Sequence, residues 1–401
     1  MIEKKILLLS LSDEKNWNFD KNIYIPITKL FSEVIRFEDY RKRCKLVGTK
    51  KLQHEIIKMA KVHRPDYVLW PASMYEILEE TFVTLQNLGC KTIGWFFDDE
   101  VRFLNYSKWW LPYFDFVMTG SKEAVPQYKR NAVNAIYVPI ACNPESYYFV
   151  KDSVSYEVSF VGRLIGNRKS LLRSIEEGGI EVAKFGLDAR AEVSFERLIK
   201  IFSNSRINLN FTGSYSNCDN KQLKARIFEV PMCGGFLLTE YVQGIEEFFE
   251  IDKEVVCFVT VNEAIEKINY YLKHENERKA IAQAGWKRVL KDHTWEKRLG
   301  LIFEKINSDM EDHIIKVRQH RTKMPNKLRQ TRSRYHYNLA KEWLNKQRND
   351  IAIDELIISM KFGENLKSRF LIYMCRMPEK LSIKLFQVYK LISSVYKKCS
   401  I

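Results

Sequence analysis

Short apolar segments alternate with amphipathic segments from the start of this chain, and this alternation restricts the possible folds more than any other feature of the sequence. Over roughly the first third of the chain, the pattern predicts strands at 6–10, 67–70, 92–97, 116–119 and 135–139, and helices at 51–62, 74–88 and 121–130. Strands that alternate with helices form parallel sheets with helices on both faces. The first part of the chain is therefore expected to be an α/β domain.

A second series of strands and helices follows the segment 139–149, which is rich in proline, asparagine and tyrosine. The pattern there predicts strands at 158–162, 180–185, 207–210 and 236–239, and helices at 169–177 and 195–202. Two such units facing each other across a cleft are typical of a bilobal enzyme. We predict an N-terminal domain at 1–145, a second domain at 146–306 and a basic helical extension at 307–401.

The eight cysteines are scattered along the chain without any Cys-x-x-Cys pair, which disfavours both a disulfide framework and a zinc site. No apolar run reaches the roughly 18 residues that cross a bilayer. These features predict a cytoplasmic protein without a metal site.

The net charge of +15 belongs mainly to the C-terminal region, since residues 311–401 contain 20 Lys and Arg but 8 Asp and Glu. The last segment, 378–401, spaces its basic residues along one side of a helix and its apolar residues largely opposite. Such a helix is expected either to lie on an anionic membrane surface, at the inner face of the cell membrane, or to dock on a neighbouring helix. Nucleic acid is not an expected partner, because the chain has no recognisable nucleic-acid motif.

A group of cations follows the predicted strand that ends at Gly162. In an open parallel sheet, ligands bind where strands end and helices begin, and the free N–H groups there favour phosphate. Gly162 lets the backbone approach a ligand closely, while Arg163 and Arg168 supply positive charge for a diphosphate. Gly186 ends the next predicted strand and joins this set of candidates. The alternative is a surface turn with solvated cations.

A second group of candidates is closely spaced along the chain and comprises Arg226, Glu229, Gly234 and Gly235. A carboxylate next to a phosphate site can accept hydrogen bonds from both hydroxyls of a ribose. The alternative is that Glu229 only pairs with Arg226 three residues earlier, as neighbours on a helix do.

Several motifs of the second domain occur in a family order: SFVGR at 159–163, RIFEVPMCGGFLLTE at 226–240, IEEFF at 245–249, and the closing pair AQAG at 282–285 and HTWEKR at 293–298. Together they resemble the C-terminal domain of the glycosyl transferase group 1 families, particularly the branch related to spore-maturation glycosyltransferase-like proteins. The resemblance covers over a third of the chain.

This resemblance implies a GT-B fold, in which two Rossmann-like domains face each other across a cleft, and a hexosyltransferase-like enzyme that needs no metal or other cofactor. Arg163 and Arg168 then correspond to the cations that bind the diphosphate of a nucleotide sugar, and Glu229 to the carboxylate that binds its ribose. Gly234 and Gly235 correspond to a turn that packs close to the ligand. Lys221 departs from the pattern, because related transferases often have an acidic residue there.

The first domain contains an acidic segment, Asp98-Asp99-Glu100, at the end of an aromatic-rich strand. Trp95 is expected to stack on a sugar on the acceptor side. Asp98 or Asp99 is expected to take a proton from an acceptor hydroxyl. The alternative is a solvated acidic loop or a helix N-terminus.

The sequence thus predicts a glycosyltransferase that moves a sugar from a nucleoside-diphosphate sugar to a surface glycan or to its lipid-linked precursor. The alternative is a non-catalytic relative that binds nucleotide sugar or glycan and takes part in assembly.

Overall fold

The computed structural model describes residues 2–11, 19–72, 75–131, 133, 135–153, 155–186, 193–213, 221–308, 326–363 and 366–375. Within these residues, two parallel β-sheets are each covered on both faces, as the alternating pattern predicts. In the first strand, Ile6 and Leu8 pack into one hydrophobic cluster while Leu7 and Leu9 pack into another on the opposite face. The sheet and the helices that cover it are called the first lobe below, and the second sheet with its helices is the second lobe.

The sheet of the first lobe has six strands in the order β2-β1-β3-β4-β5-β6. They are β1 (Ile2–Leu9), β2 (Phe31–Phe37), β3 (Tyr67–Pro71), β4 (Lys91–Phe96), β5 (Phe116–Thr119) and β6 (Ala135–Tyr137). Every neighbouring pair is parallel, so the carboxyl ends of all six strands lie along one edge.

The sheet of the second lobe has five strands in the order β11-β10-β9-β7-β8, again all parallel. They are β7 (Tyr156–Val161), β8 (Ala183–Phe185), β9 (Ser205–Asn210), β10 (Leu237–Glu240) and β11 (Val256–Phe258). The strand order changes direction between β7 and β9, and ligands of such sheets bind beside a point of this kind.

Helices connect these strands. Those of the first lobe are α1 (Ile25–Leu30), α2 (Tyr40–Val47), α3 (Thr49–His63), α4 (Glu79–Asn87), α5 (Asp99–Arg102) and α6 (Val125–Arg130). Those of the second lobe are α7 (Arg168–Glu177), α8 (Phe195–Asn204), α9 (Arg226–Met232), α10 (Val261–Lys273) and α11 (Glu275–Asp292). Hydroxyl groups fix two of the helix starts, since Ser194 caps α8 and Thr260 caps α10 by accepting backbone N–H groups.

The chain returns to the first lobe after α11. The helix α12 (Trp295–Ser308) buries Leu299, Phe303 and Ile306 in the hydrophobic cluster beneath the first sheet. Two backbone hydrogen bonds mark the crossing, from Cys142 N–H to the His293 carbonyl (3.0 Å) and from Trp295 N–H to the Cys142 carbonyl (3.1 Å). The predicted domain at 146–306 is therefore too long, because its last helix packs on the other lobe.

Three further helices also cover the first lobe: α13 (Asn326–Asn345), α14 (Asn349–Phe362) and α15 (Leu366–Cys375). Leu339, Trp343 and Leu356 of this group are buried in the cluster that includes Leu52 and Phe82 of the first lobe. The predicted helical extension is confirmed over these residues, and it packs on the body as an integral layer. The amphipathic segment predicted at 378–401 lies outside the described residues.

Buried ionic groups fix the C-terminal helices in place. The guanidinium of Arg332 is 1% exposed and donates to both carboxylate oxygens of Glu79. The carboxylate of Glu355 accepts from the backbone N–H and the hydroxyl of Thr49, and His336 Nδ1 lies 2.9 Å from it. These contacts connect the C-terminal helices to α3 and α4 of the first lobe, and among the described residues Arg332 Nε and His336 Nε2 are buried without a hydrogen-bond partner.

Among the described helices, none is both long enough and apolar enough to span a bilayer.

Candidate functional site

A cavity that is open to solvent separates the carboxyl ends of the two sheets. The first lobe lines it with the loops that follow β4, β5 and β6, and the second lobe with the loops that follow β9 and β10. Its charged lining residues are Asp98, Glu100, Lys122, Glu123, Lys221, Lys224 and Glu247. The cleft predicted between two α/β domains is therefore present, at the edge where ligands of such sheets bind.

In the acidic loop after β4, the first two carboxylates, Asp98 and Asp99, lie in different environments. Asp98 is exposed, lines the cavity and has a left-handed backbone (φ 55°), an unusual conformation for a residue with a side chain. Asp99 is fully buried and accepts hydrogen bonds from Thr119 Oγ1 (2.6 Å) and the Tyr128 hydroxyl (2.6 Å), and also from Ser107. Burial raises the pKa of Asp99, and the hydroxyl groups oppose that shift. Asp99 is thus an anchor beneath the loop, and of the two predicted bases only Asp98 reaches the cavity.

Trp95 does not line the cavity. Its side chain is 1% exposed and packs against Trp295, with ring centroids 5.7 Å apart, and against Phe97. The predicted stacking of Trp95 on an acceptor sugar is therefore wrong for this structure, because both ring faces lie within the core. Both faces of a parallel sheet are buried, so the sequence pattern alone did not distinguish a core position from a cleft position.

Glu100 reaches the cavity in place of Asp99, and the sequence analysis did not single it out. Its side chain is half-buried, and burial together with the neighbouring Asp98 raises its pKa. Across the cleft, the amide of Gln222 donates to its carboxylate. Within the described residues, no group of three or more His, Cys, Asp or Glu side chains is arranged to hold a metal ion.

Two glycines bring the loops after β7 and β8 into direct contact in the second lobe. Gly162 N–H donates to the carbonyl of Phe185 (2.8 Å), and Gly186 has φ +142°. A Cβ added at Gly186 would lie 2.4 Å from the carbonyl oxygen of Gly162, so a side chain cannot be accommodated there. Gly186 therefore requires glycine for backbone reasons, next to the predicted diphosphate site, whereas an added Cβ at Gly162 would meet the side chain of Phe160 at 3.1 Å.

Arg168 is held beside these glycines at the start of α7. Its guanidinium donates to the carbonyls of Arg163 (3.2 Å) and Gly213 (3.0 Å). Arg163 itself is exposed. A helix N-terminus beside a guanidinium group favours an anion. The diphosphate contact of Arg163 and Arg168 remains a prediction.

Arg226 and Glu229 lie at the same end of β7. Arg226 Nε is 3.4 Å from the carbonyl oxygen of Val161, and its guanidinium pairs with the carboxylate of Glu229. The hydroxyl of Tyr147 donates to the other carboxylate oxygen of Glu229 (2.6 Å), and this carboxylate is almost fully buried. The helix ion pair considered as an alternative is thus present, and it fixes Glu229 next to the Gly162 loop. A ribose contact by Glu229 remains a prediction.

Gly234 and Gly235 lie at the opposite end of the second sheet. They follow α9, which runs away from the cleft, and they precede β10, which runs back towards it. A Cβ at Gly235 would lie 2.4 Å from the Phe202 carbonyl oxygen at the end of α8. The close approach is present at Gly235, where the partner is the protein backbone, while a Cβ at Gly234 would meet the side chain of Phe149 at 3.4 Å. Because both glycines lie at the end of the sheet away from the cleft, their assignment as donor-binding residues is corrected.

Lys221 enters an ion pair in the second lobe. Its ammonium lies 3.3 Å from the carboxylate of Glu240, which also accepts from the backbone N–H (2.9 Å) and hydroxyl (3.0 Å) of Thr212. The position where related transferases often carry an acidic residue is thus occupied by Lys221, which is paired with the carboxylate of Glu240.

Comparison with known proteins agrees with this architecture. The family model described as Glycosyl transferase-like matches residues 162–304. An α-glucosyltransferase solved with UDP-glucose and DNA containing an abasic site is similar in structure, with a TM-score of 0.54 and 10% identity over 76% of this chain and 100% of that chain. No curated protein sequence matches the chain.

Two further solved structures are similar. Sucrose-phosphate synthase from Thermosynechococcus elongatus has a TM-score of 0.52 and 12% identity over 77% of this chain and 100% of that chain. A glycosyltransferase from Rickettsia africae has a TM-score of 0.52 and 10% identity over 77% of this chain and 99% of that chain. The spore-maturation branch remains a prediction. The second lobe thus carries a segment, residues 162–304, that matches the glycosyl transferase-like family model, and the chain as a whole has the GT-B fold.

Proposed function

We propose that this protein transfers a sugar from a nucleoside-diphosphate sugar to a hydroxyl group of a surface glycan or its lipid-linked precursor. The observation that carries the proposal is the meeting of the Gly162 loop, Arg168 and the Arg226–Glu229 pair at one end of β7. The family match covers this same region, and one structural neighbour was solved with UDP-glucose.

In the proposed reaction, Arg163, Arg168 and the N–H groups at the start of α7 bind the diphosphate. They stabilise the negative charge that develops as the bond from the sugar to the phosphate breaks, which is the electrostatic contribution that preorganised donors make. Glu229 binds the ribose with the lone pairs not used by Tyr147 and Arg226. Asp98 faces the acceptor from the first lobe and accepts the hydrogen bond of its hydroxyl.

A thermal-shift screen of UDP-, GDP-, ADP- and TDP-sugars tests the proposal. A donor present at a hundred times its Kd is expected to add about 2.7 kcal/mol to the free energy of unfolding. The donor that binds should also be hydrolysed slowly, because water can replace the acceptor.

Two variants identify the residues involved. Glu229→Gln keeps the size of the side chain and should weaken donor binding at least tenfold, whereas Glu266→Gln, on the exposed face of α10, should not. Asp98→Asn should slow hydrolysis about 100-fold or more at unchanged donor affinity, which is the range for lost acid–base assistance. Glu123→Gln removes a charge from the same cavity and is the control.

The alternative function is a protein that binds nucleotide sugar or glycan without consuming it. The Lys221–Glu240 ion pair favours it, because a cation stands where related transferases often carry an acidic residue. Donor binding with no hydrolysis and no transfer would establish this alternative. An absence of donor binding would contradict transfer and leave only the glycan-binding form of the alternative.

Two finer proposals accompany the main one. We propose that transfer needs no metal, so EDTA should leave hydrolysis unchanged. We also propose that residues 378–401 bring the enzyme to an anionic membrane surface in the cytoplasm. The full chain should then sediment with vesicles containing phosphatidylglycerol but not with pure phosphatidylcholine, and deletion of 378–401 should abolish the difference.

A further inference from the structure

His293 lies where the chain crosses from the second lobe back to the first. Its side chain is buried, and the next residue, Thr294, forms a parallel bridge with Cys142 of the first crossing. Three phenylalanine rings surround the imidazole with ring centroids 5.4 to 5.5 Å away: Phe228 of α9, and Phe248 and Phe249 of the loop 244–249. A polar ring in such apolar surroundings needs hydrogen-bond partners for its nitrogens.

The two hydrogen bonds of His293 fix its tautomer. Nδ1 lies 3.3 Å from the guanidinium of Arg298 on α12, and a guanidinium has donors only, so Nδ1 is the accepting nitrogen. The proton of the neutral ring is therefore on Nε2, which donates to the carbonyl of Phe248 (2.8 Å). Protonation of Nδ1 would direct an N–H group at the guanidinium, so this arrangement requires the neutral ring.

The charged groups of α11 and α12 favour the neutral ring as well. Arg298 faces it from α12, and Arg288 of α11 donates to the same Phe248 carbonyl (2.9 Å). The nearby carboxylate of Asp292 is paired with Arg288 (3.1 Å). Burial lowers the pKa of His293 and both arginines add to this shift, whereas the hydrogen bond to Phe248 and the charge of Asp292 oppose it.

The other elements packed around His293 direct their charged side chains to partners of their own. Glu229 of α9 pairs with Arg226, and Glu247 of the loop 244–249 pairs with Lys122 of the first lobe. The thiol of Cys142 at the first crossing stays protonated, because burial raises its pKa. Histidine is the side chain whose ordinary pKa lies near neutral pH, so His293 is the titrating group of this crossing.

His293 joins two places at which the lobes meet. The first is the second crossing itself, where Thr294 pairs with Cys142. The second is the loop 244–249, which lines the cavity with Glu247 and Phe248 and reaches the first lobe through the Glu247–Lys122 ion pair. The hydrogen bond from Nε2 holds the backbone of this loop against the crossing. The position of the loop in the cleft therefore depends on the charge of one buried ring.

We propose that neutral His293 positions the loop 244–249 at the cleft and that protonation of the ring releases this loop, so that the enzyme loses activity at acid pH. This role rests on the proposed function and adds a positioning residue to it. The protonated ring keeps its N–H at Nε2 but gains one at Nδ1, and repulsion from Arg298 then moves the ring away from Phe248.

The direction of the pH dependence follows from the same contacts. The folded protein lowers the pKa of His293 below its value in the unfolded chain. Its contribution is therefore present above the unfolded pKa and is lost as pH falls through the folded pKa.

The first test follows the position of the loop without any donor. A water-soluble carbodiimide joins a contacting ammonium and carboxylate without a spacer, so it reports on the Lys122–Glu247 pair, and mass spectrometry gives the crosslink yield at pH 7.0 and pH 5.0. His293→Gln keeps an N–H donor for Phe248 but does not titrate. The ratio of the wild-type yield to that of His293→Gln cancels the pH dependence of the reagent and should fall at least threefold between pH 7.0 and pH 5.0.

The control is His274→Gln, which removes an exposed histidine of the same lobe and should keep the wild-type pH dependence. A ratio of wild type to His293→Gln that stays constant between the two pH values would overturn the inference. The same outcome would follow if His274→Gln abolished the pH dependence.

The second test measures hydrolysis of the nucleotide sugar that binds best, between pH 5 and pH 8. A nucleotide sugar has no terminal phosphate group that titrates near pH 6, so its own charge is constant over this range. The ratio of the wild-type rate to the His293→Gln rate should fall at least threefold from pH 7 to pH 5. Parallel pH profiles for the two proteins would place the pH dependence elsewhere and overturn the inference.

His293→Phe loses both hydrogen bonds and should show a low, pH-independent crosslink yield relative to His293→Gln. If this variant does not fold, the comparison between wild type and His293→Gln still decides. If no nucleotide sugar binds to the wild type, the proposed function fails, and the crosslink ratio alone decides whether His293 positions the loop.

Discussion

The two sides of the cleft differ in charge and in the way their loops are held. In the cavity the first lobe presents the carboxylates of Asp98 and Glu100, and the second lobe presents the cations Lys221 and Lys224. The loop of the first lobe is anchored by side chains, through the three hydroxyl groups around Asp99. The loops of the second lobe are anchored by backbone contacts between glycines.

The two lobes also differ in how far apart along the chain the residues lie that shape their part of the site. The predicted anion site of the second lobe lies within residues 162–229, inside the segment that the family model matches. The first lobe depends on residues far apart in the chain, including the helices after residue 325 that cover its outer face. We expect variants of the first lobe to act through distant packing and variants of the second lobe through the backbone at the site.

The strongest test of this contrast is Arg332→Met. The substitution leaves Glu79 largely buried without its partner and should lower the free energy of unfolding by about 3–5 kcal/mol. Urea denaturation measures the loss, and Arg334→Met, on the exposed face of the same helix, should cost less than about 0.5 kcal/mol. The double variant Arg332→Met with Glu79→Gln should recover part of the loss. A small effect of Arg332→Met would show that the C-terminal helices are not integral to the first lobe.

Gly186→Ala probes the backbone contact of the second lobe. It should cost about 2–4 kcal/mol, because the added Cβ meets the Gly162 carbonyl and the residue must also adopt a conformation with positive φ. Gly179→Ala shares the positive φ but places its Cβ in open space, so it should cost only about 1 kcal/mol. Equal costs would mean that the loops after β7 and β8 separate easily.

Asp99→Asn sharpens the comparison by testing the side-chain anchor of the first lobe. Replacing one acceptor oxygen by the donor NH2 of an amide should cost about 1–3 kcal/mol at acid pH. The folded protein holds the pKa of Asp99 above its usual value, so its contribution to stability is full below the unfolded pKa and is lost as pH rises through the folded pKa. The free energy of unfolding of the wild type, minus that of the variant, should therefore fall between pH 4 and pH 7. A rise over this range would contradict the direction of the shift.

The smallest effect is expected at the rim of the cleft, where the first lobe supplies the cation of an ion pair and the second lobe supplies the anion. Lys122 of the first lobe pairs with Glu247 of the second, and both side chains are about half exposed. Lys122→Met should change the free energy of unfolding by less than about 1 kcal/mol, and the change should vanish in 0.5 M NaCl. A larger, salt-resistant loss would indicate that this pair closes the cleft.

Much of the fold follows from the sequence, because apolar strands and helix caps are local features. The strand β2 was missed, since its Ser32, Glu33 and Arg36 interrupt the apolar pattern of an edge strand. The lobe on which α12 packs was also assigned incorrectly, because an amphipathic pattern does not specify its partner.

For the site too, local features could be predicted from the sequence and contacts between distant residues could not. The sequence singled out the Gly162 loop and the Arg226–Glu229 pair, and the pair is an i, i+3 contact within one helix. The contacts that bring the two together, through Val161 and Phe185, are long-range and do not follow from local sequence. It did not distinguish Asp98 from Asp99, since the burial of Asp99 depends on Thr119 and Tyr128. Glu100 was not selected because its partner Gln222 belongs to the other lobe.

The double passage of the chain between the lobes, at Cys142 and at Thr294, also bears on protein engineering. The second lobe is in effect an insertion within the first, so a hybrid that joins a new C-terminal half at a single point would lose α12 and expose the apolar cluster beneath it. An exchange of nucleotide-binding modules therefore has to be made at two junctions, one near each crossing. With both junctions kept, the module could be replaced while the native contacts of α12 are retained.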